Sequence, residues 1–242
     1  MTGPNSAPET PAPNSVEEGG RQFSRELWTE VDRYISELVV KPDPVLDDAL
    51  AAASSAGLPE ISVTPGEGKL LQLLVRIRGA RNVLEIGTLA GYSTIWMARA
   101  LPRGGLLVTL ELDPLHASVA AANISRAGLR EVVDLRVGLA LDTLPLLADE
   151  ARRFDLTFID ADKANIPEYF EWAVKLSTQG AIIVVDNVVR DGGVIDESSE
   201  DPSIRGVRRF NERLASDSRV SATTIQTVGA KGYDGFTLAV LT

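Results

Sequence analysis

Apolar residues recur at three- and four-residue spacing through Phe23, Leu27, Val31, Tyr34, Ile35 and Leu38, the stripe of an amphipathic helix. Pro42 and Pro44 end it. The spacing predicts a second short helix over Leu46 to Ala56. A third opens at Thr64-Pro65-Gly66-Glu67, which supplies an N-cap hydroxyl, a proline at the first helical position and an acid placed for a capping box. Leu70, Leu74 and Ile77 are its apolar positions. Beyond it the period changes. Short β-rich runs stand at Asn82 to Ile86, Leu106 to Leu110, Val132 to Val137, Phe154 to Ile159 and Ala181 to Val185, with room for one helix between each pair. That alternation predicts a parallel sheet covered on both faces. The last two runs, Thr223 to Val228 and Phe236 to Leu241, flank the segment Gly229 to Gly235, too short for a helical crossover, so they are expected to form an antiparallel hairpin. The expected fold is α/β: a doubly wound, seven-stranded, mostly parallel sheet with an antiparallel C-terminal hairpin, preceded by helices. Such sheets bind ligands outside the carboxyl ends of their strands.

Composition narrows the chemistry. A chain of 242 residues suits one large domain with a closed core. Its first twenty residues are rich in Pro, Ser, Gly and acids and lack the basic start and apolar stretch of a signal peptide. They are expected to be a mobile tail, leaving one domain over 21–242 in which 21–60 forms a helical substrate or dimer region. No apolar run approaches the ~20 residues of a membrane helix, and the expectation is a cytoplasmic protein without a membrane partner. With 24 Lys and Arg against 34 Asp and Glu, the net charge of −10 repels a phosphate backbone and argues against nucleic acid as a general partner. The chain has no cysteine and one histidine, which excludes thiol nucleophiles and a multi-histidine zinc site, so a metal here must be held mainly by oxygen.

The strand ends carry the candidate functional residues. After the first comes Val83-Leu84-Glu85-Ile86-Gly87-Thr88-Leu89-Ala90-Gly91-Tyr92-Ser93, a glycine-containing turn into a helix whose spacing is not G-x-G-x-x-G. Glu111, twenty residues after Gly91, ends the second strand where a carboxylate can accept both hydroxyls of a ribose. Asp113-Pro114 has a local role instead, as a helix N-cap. The fourth strand ends in Asp160-Ala161-Asp162-Lys163 and the fifth in Asp186-Asn187. Converging there, two carboxylates and an amide oxygen make a hard-cation site for Mg²⁺, with Mn²⁺ and Ca²⁺ equally compatible; two separate helix caps are the competing reading. Lys163 is a candidate general base beside that site or, on spacing alone, a solvent-facing lysine paired with Asp160 or Asp162.

Taken in this order and spacing, VLEIGTLAGYS, LELDP, FIDADK and VVDN resemble the cation-dependent O-methyltransferases that use S-adenosylmethionine, the group containing catechol and caffeoyl-coenzyme A O-methyltransferases, and above all its small bacterial members. The likeness runs from about Ile61 to the C-terminus. It implies a Rossmann-like fold and a homodimer. It implies that Val63, Glu85, Gly87, Thr88, Ser93, Glu111, Ala140 and Asp162 contact S-adenosylmethionine, that Asp160, Asp186 and Asn187 hold the metal, and that Lys163 is catalytic alongside Asp160. The implied acceptor is a small hydroxylated molecule, a catechol or other vicinal diol, methylated by direct displacement. Asp191, within Arg190-Asp191-Gly192-Gly193, departs from the substrate-binding asparagine of the plant enzymes, which argues against a coenzyme A ester. Two other readings stand beside this one: a nicotinamide-dependent oxidoreductase on a related sheet, and a catalytically silent cofactor-binding module. His116, Trp28, Trp96, Trp172 and Tyr92 read as helical or packing residues. Asp191 to Asp201 reads as a solvated loop or a movable substrate lid.

Overall fold

The computed structural model describes residues 24–242; the expected tail over 1–20 and Phe23 lie outside the described residues. Three helices come first: α1 (Arg25–Ile35), continued by a wider turn over Ser36–Val40, α2 (Pro44–Ser55) and α3 (Pro65–Arg78). The start of α3 is the expected capping box. Thr64 Oγ1 accepts from the Glu67 N–H at 3.2 Å, and the Glu67 carboxylate accepts from the Thr64 N–H at 2.7 Å.

Alternation then begins: β1 (Asn82–Ile86), α4 (Tyr92–Ala98), β2 (Leu106–Glu111), α5 (Pro114–Arg126), β3 (Val133–Val137), α6 (Ala140–Asp149), β4 (Phe154–Ile159), α7 (Ile166–Leu176), β5 (Ser177–Asp186), α8 (Pro202–Ser216), β6 (Val220–Gly229) and β7 (Gly232–Leu241). The strands form one sheet in the order β3-β2-β1-β4-β5-β7-β6, parallel except for β7, which runs antiparallel to both β5 and β6. Successive strand residues point to opposite faces. Val83, Leu107, Leu156 and Phe158 therefore pack with Leu71, Val75, Ile95 and Trp96 of α3 and α4 on one face. Leu84, Val108, Ile159 and Ile183 meet Leu147, Phe170 and Phe210 of α6, α7 and α8 on the other.

Two expectations change in detail. The hairpin has a two-residue turn, Ala230-Lys231, rather than a seven-residue loop, because β6 and β7 stay paired out to Gly229 and Gly232. The amphipathic stripe of α1 has the expected spacing, yet none of its residues is buried, and Tyr34 and Leu38 are both more than half exposed.

The strand order reverses between β1 and β4, and this switch point opens a crevice at their carboxyl ends. A Cβ on Gly87, which has φ +99°, would overlap the carbonyl oxygen of Asp160, so glycine lets the two strand ends close up at that point.

Candidate active site

A cavity of about 950 Å³ occupies the crevice. Gly87, Thr88 and Ser93 line it from the turn after β1, Glu111 from the end of β2 and Ala140 from the first residue of α6. Val63 reaches it from the segment before α3, and Asp160, Asp162, Lys163 and Asn187 from the ends of β4 and β5. The chain thus brings ten of its sequence-predicted site residues to one cavity.

Glu85 and Asp186 are placed differently. Glu85 is fully buried under the turn, where its carboxylate accepts from Ser93 Oγ at 2.6 Å, Thr94 Oγ1 at 2.5 Å and Thr109 Oγ1 at 2.7 Å. Burial pushes its carboxyl up to about 7, with Asp160 adding to the rise, while the three hydroxyls pull the other way. Its link to the cavity runs through Ser93.

Glu111 has a local task that its sequence position did not disclose. Its Oε2 accepts from the backbone N–H groups of Thr88 at 3.1 Å and Leu89 at 2.8 Å, and its Oε1 from Asp113 at 3.0 Å. One carboxylate thereby ties the glycine turn to the neighbouring strand end. His116, read as a surface or packing residue, lines the cavity and places Nδ1 3.6 Å from Glu111 Oε1. Its third position in α5, directly after the Asp113 cap, was the available signal.

Register decides the relation of the two acids. In the parallel pair of β4 and β5, Ile159 lies opposite Val185, so Asp160 and Asp186 follow at the same level. Asp186 accepts from the Asn187 N–H at 2.8 Å. Burial, then the like charges of Asp160 and Glu67, hold its carboxyl well above the usual carboxylate range, with Lys163 acting against them. Two carboxylates in repulsion, with an amide beside them, are an oxygen donor set that a divalent cation relieves. Among the described residues no trio of His, Cys, Asp or Glu is grouped to hold an ion.

Lys163 donates to Asp160 Oδ1 at 2.7 Å, and its side chain is only 10% exposed, so it faces the cavity and not solvent. It opens a short helical turn, Lys163–Asn165, in which Asp162 accepts from the Asn165 N–H at 3.2 Å and from the Tyr169 hydroxyl. Tyr169 also lines the cavity. After Asp186 the backbone is strained: Asn187, Arg190 and Asp191 have φ of 58°, 56° and 54°, a region that costs non-glycine residues of order 1 kcal/mol each and that clusters at functional sites.

The doubly wound sheet, with acids and an amide at adjacent strand ends, a buried carboxylate behind the glycine turn and a lysine paired with Asp160, places the molecule in the Rossmann-like class. The family model for O-methyltransferases matches residues 37–241. Catechol O-methyltransferase from Niastella koreensis is 53% identical over 220 residues, which cover 90% of this chain and all of that protein. The structure of an O-methyltransferase from Bacillus cereus in complex with SAH superposes with a TM-score of 0.89 at 55% identity, covering 90% of this chain and 100% of that one. TomG from Streptomyces achromogenes, an O-methyltransferase involved in tomaymycin synthesis and solved in complex with SAM, gives 0.88 at 52%, covering 91% and 99%. The chain belongs to the O-methyltransferase family. The nicotinamide reading of the glycine turn and Glu111 falls with that membership.

Proposed function

We propose that this O-methyltransferase uses S-adenosylmethionine and a divalent cation to methylate one hydroxyl of a catechol-like or other vicinal-diol small molecule. The observation that carries the reading is the level placement of Asp160 and Asp186 across the β4–β5 register, with Asn187 and Lys163 at the same cavity wall. When bound, S-adenosylmethionine supplies an electrophilic methyl group and the cation supplies Lewis-acid polarisation of the acceptor oxygen.

The chain's own residues do the rest. Gly87, Thr88 and Ser93 hold the amino-acid part of the cofactor, Val63 touches it from the segment before α3, and Glu111 keeps the turn closed while offering its remaining lone pair to a ribose. Ala140 borders the base, and Asp162, fixed by Asn165 and Tyr169, contacts the cofactor from the opposite wall. Glu85 acts indirectly by orienting Ser93. Asp160, Asp186 and Asn187 present the oxygen donors for Mg²⁺, Mn²⁺ or Ca²⁺. Lys163, held by Asp160, accepts or steers the proton leaving the acceptor hydroxyl. Much of the rate comes from holding the oxygen and the methyl carbon about 3 Å apart and in line.

Methyl transfer from S-adenosylmethionine to catechol, followed by mass spectrometry with Mg²⁺ and again with excess EDTA, tests this directly. Turnover is expected to vanish with the chelator and to return with metal. Asp160→Ala is expected to lower kcat/KM by at least about a hundredfold, and Lys163→Met to lower kcat by about two to four orders of magnitude. Turnover that persists in EDTA overturns the metal roles, and cofactor binding without turnover of any acceptor identifies a silent module.

A further inference from the structure

Resting on the acceptor reading above, this inference concerns two cations that the proposed chemistry does not use, Arg190 on the cavity wall and Lys231 on the turn of the C-terminal hairpin. Arg190 lines the same cavity as Asp160, Lys163 and Asn187. Its left-handed backbone is held by Asp234, whose Oδ1 accepts from the N–H groups of Val189 at 2.9 Å, Arg190 at 3.0 Å and Gly235 at 3.0 Å. With that oxygen engaged, the guanidinium reaches Asp234 only through Nη1 at 3.8 Å from Oδ2, and Arg190 Nε is buried with no hydrogen-bond partner. A buried N–H without an acceptor is unfavourable. Here it belongs to a wall residue three positions after Asn187, at most about 11 Å of chain away, within the span of a substituted ring and an arginine side chain.

Lys231 is the second cation. It sits on the two-residue turn between β6 and β7, and that turn is fastened on both sides. Towards α1, the Ala230 N–H donates to Asp32 Oδ2 at 2.8 Å, and Arg25 Nη2 donates to the Ala230 carbonyl at 3.2 Å. Towards the segment after β5, the Asp191 N–H donates to the Tyr233 carbonyl at 3.2 Å. The carboxylates acting on the Lys231 ammonium are Glu67, Asp160, Asp186 and Glu60, two of them the acids of the ion site. Glu67 is committed to its capping box. In a chain of net charge −10, Arg190 pairs with a carboxylate only loosely, at 3.8 Å, and among the described residues Lys231 has no ion pair.

We propose that Arg190 and Lys231 form an anion-recognition edge of the acceptor site, so that the enzyme favours vicinal diols carrying a carboxylate. The guanidinium presents the planar fork that matches a carboxylate, and the ammonium adds a point charge that can follow acceptors of different length.

The test compares kcat/KM of the full chain, with S-adenosylmethionine and Mg²⁺, for three diols: catechol (neutral), protocatechuate (anionic) and dopamine (cationic). Arg190→Met and Lys231→Met are each expected to lower the protocatechuate-to-catechol ratio about three- to fivefold and to raise the dopamine-to-catechol ratio. Lys231→Arg is expected to restore the ratio, and added salt to shrink the difference. Mn²⁺ affinity is measured on the same variants, with binding of S-adenosylhomocysteine as the check on folding. Ratios that stay fixed while Mn²⁺ affinity shifts overturn the proposal, because the cations would then only balance the carboxylates of the ion site. Ratios and Mn²⁺ affinity that both stay fixed overturn it as well. Wild-type enzyme that binds the cofactor and methylates none of the three overturns the acceptor reading itself, and this inference falls with it.

Discussion

Asp186 and Glu85 are carboxyls whose surroundings work against their charge, the first through burial and the nearness of Asp160 and Glu67, the second through complete burial. In both the folded-state pKa lies above the unfolded value, so their contribution to stability is complete below the ordinary carboxylate range and is lost as pH rises through the folded pKa, to about 7 for Glu85. Metal-free protein is therefore expected to lose melting temperature between about pH 4 and neutrality. Asp186→Asn is expected to flatten part of that slope, and Mg²⁺ to raise the melting temperature more at about pH 8 than at about pH 5, since a ligand carboxylate must be ionised to bind. Equal stabilisation by Mg²⁺ at both pH values would count against Asp186 as a ligand. The identities of these residues were legible in the sequence because strand ends announce themselves. What was not legible was the company each keeps: Glu111 had no visible local role, yet three backbone N–H groups from two segments converge on it.

At the scale of elements, the turn that carries Lys163 is gripped between β1 and α8. Gly206, in the middle of α8, lies so close to the Lys163 carbonyl that a Cβ there would overlap it. In an open helix alanine is better than glycine by about 1 kcal/mol; here the sign is expected to reverse. Gly206→Ala is expected to displace the turn, lowering kcat on catechol more than it weakens binding of S-adenosylhomocysteine, whose proposed contacts lie mainly on the β1 and β2 side. Kinetics and calorimetry on one preparation check this, and a variant with wild-type kcat would show that the turn adjusts freely. The loop over 191–201 is anchored to the same helix, with Arg208 Nη1 donating to the Val194 carbonyl at 2.8 Å. Local signals specified two starts well, because the capping box at Thr64 and the Asp113-Pro114 cap need only neighbouring residues. The length of the hairpin was misjudged for the opposite reason: Tyr233, Asp234 and Gly235 look like loop residues, and their pairing with Gln226, Thr227 and Val228 is set by cross-strand hydrogen bonds.

For the whole molecule, the unburied stripe of α1 is the main departure from what its pattern implies. Val31, Tyr34, Ile35 and Leu38 remain exposed beside β6, whose Ile225 and Val228 are exposed as well. Clustered exposed apolar residues mark association sites, and we propose that this face is covered in a homodimer. Light scattering is expected to give twice the chain mass, and Tyr34→Glu combined with Leu38→Glu to shift it towards the monomer; a monomeric wild type would remove the proposal. Among the described residues no helix is long and apolar enough to cross a membrane. The sequence by itself determined the doubly wound α/β plan and which acids and amides stand at its strand ends, since periodicity, caps and residue chemistry are local properties. Tertiary structure alone decided that Asp160 and Asp186 stand level, that Glu85 lies beneath the glycine turn while Glu111 braces it, and that Arg190 reaches the same cavity. Each of those facts depends on strand register or on packing between segments far apart in the chain, and neither is encoded in the spacing of any one segment.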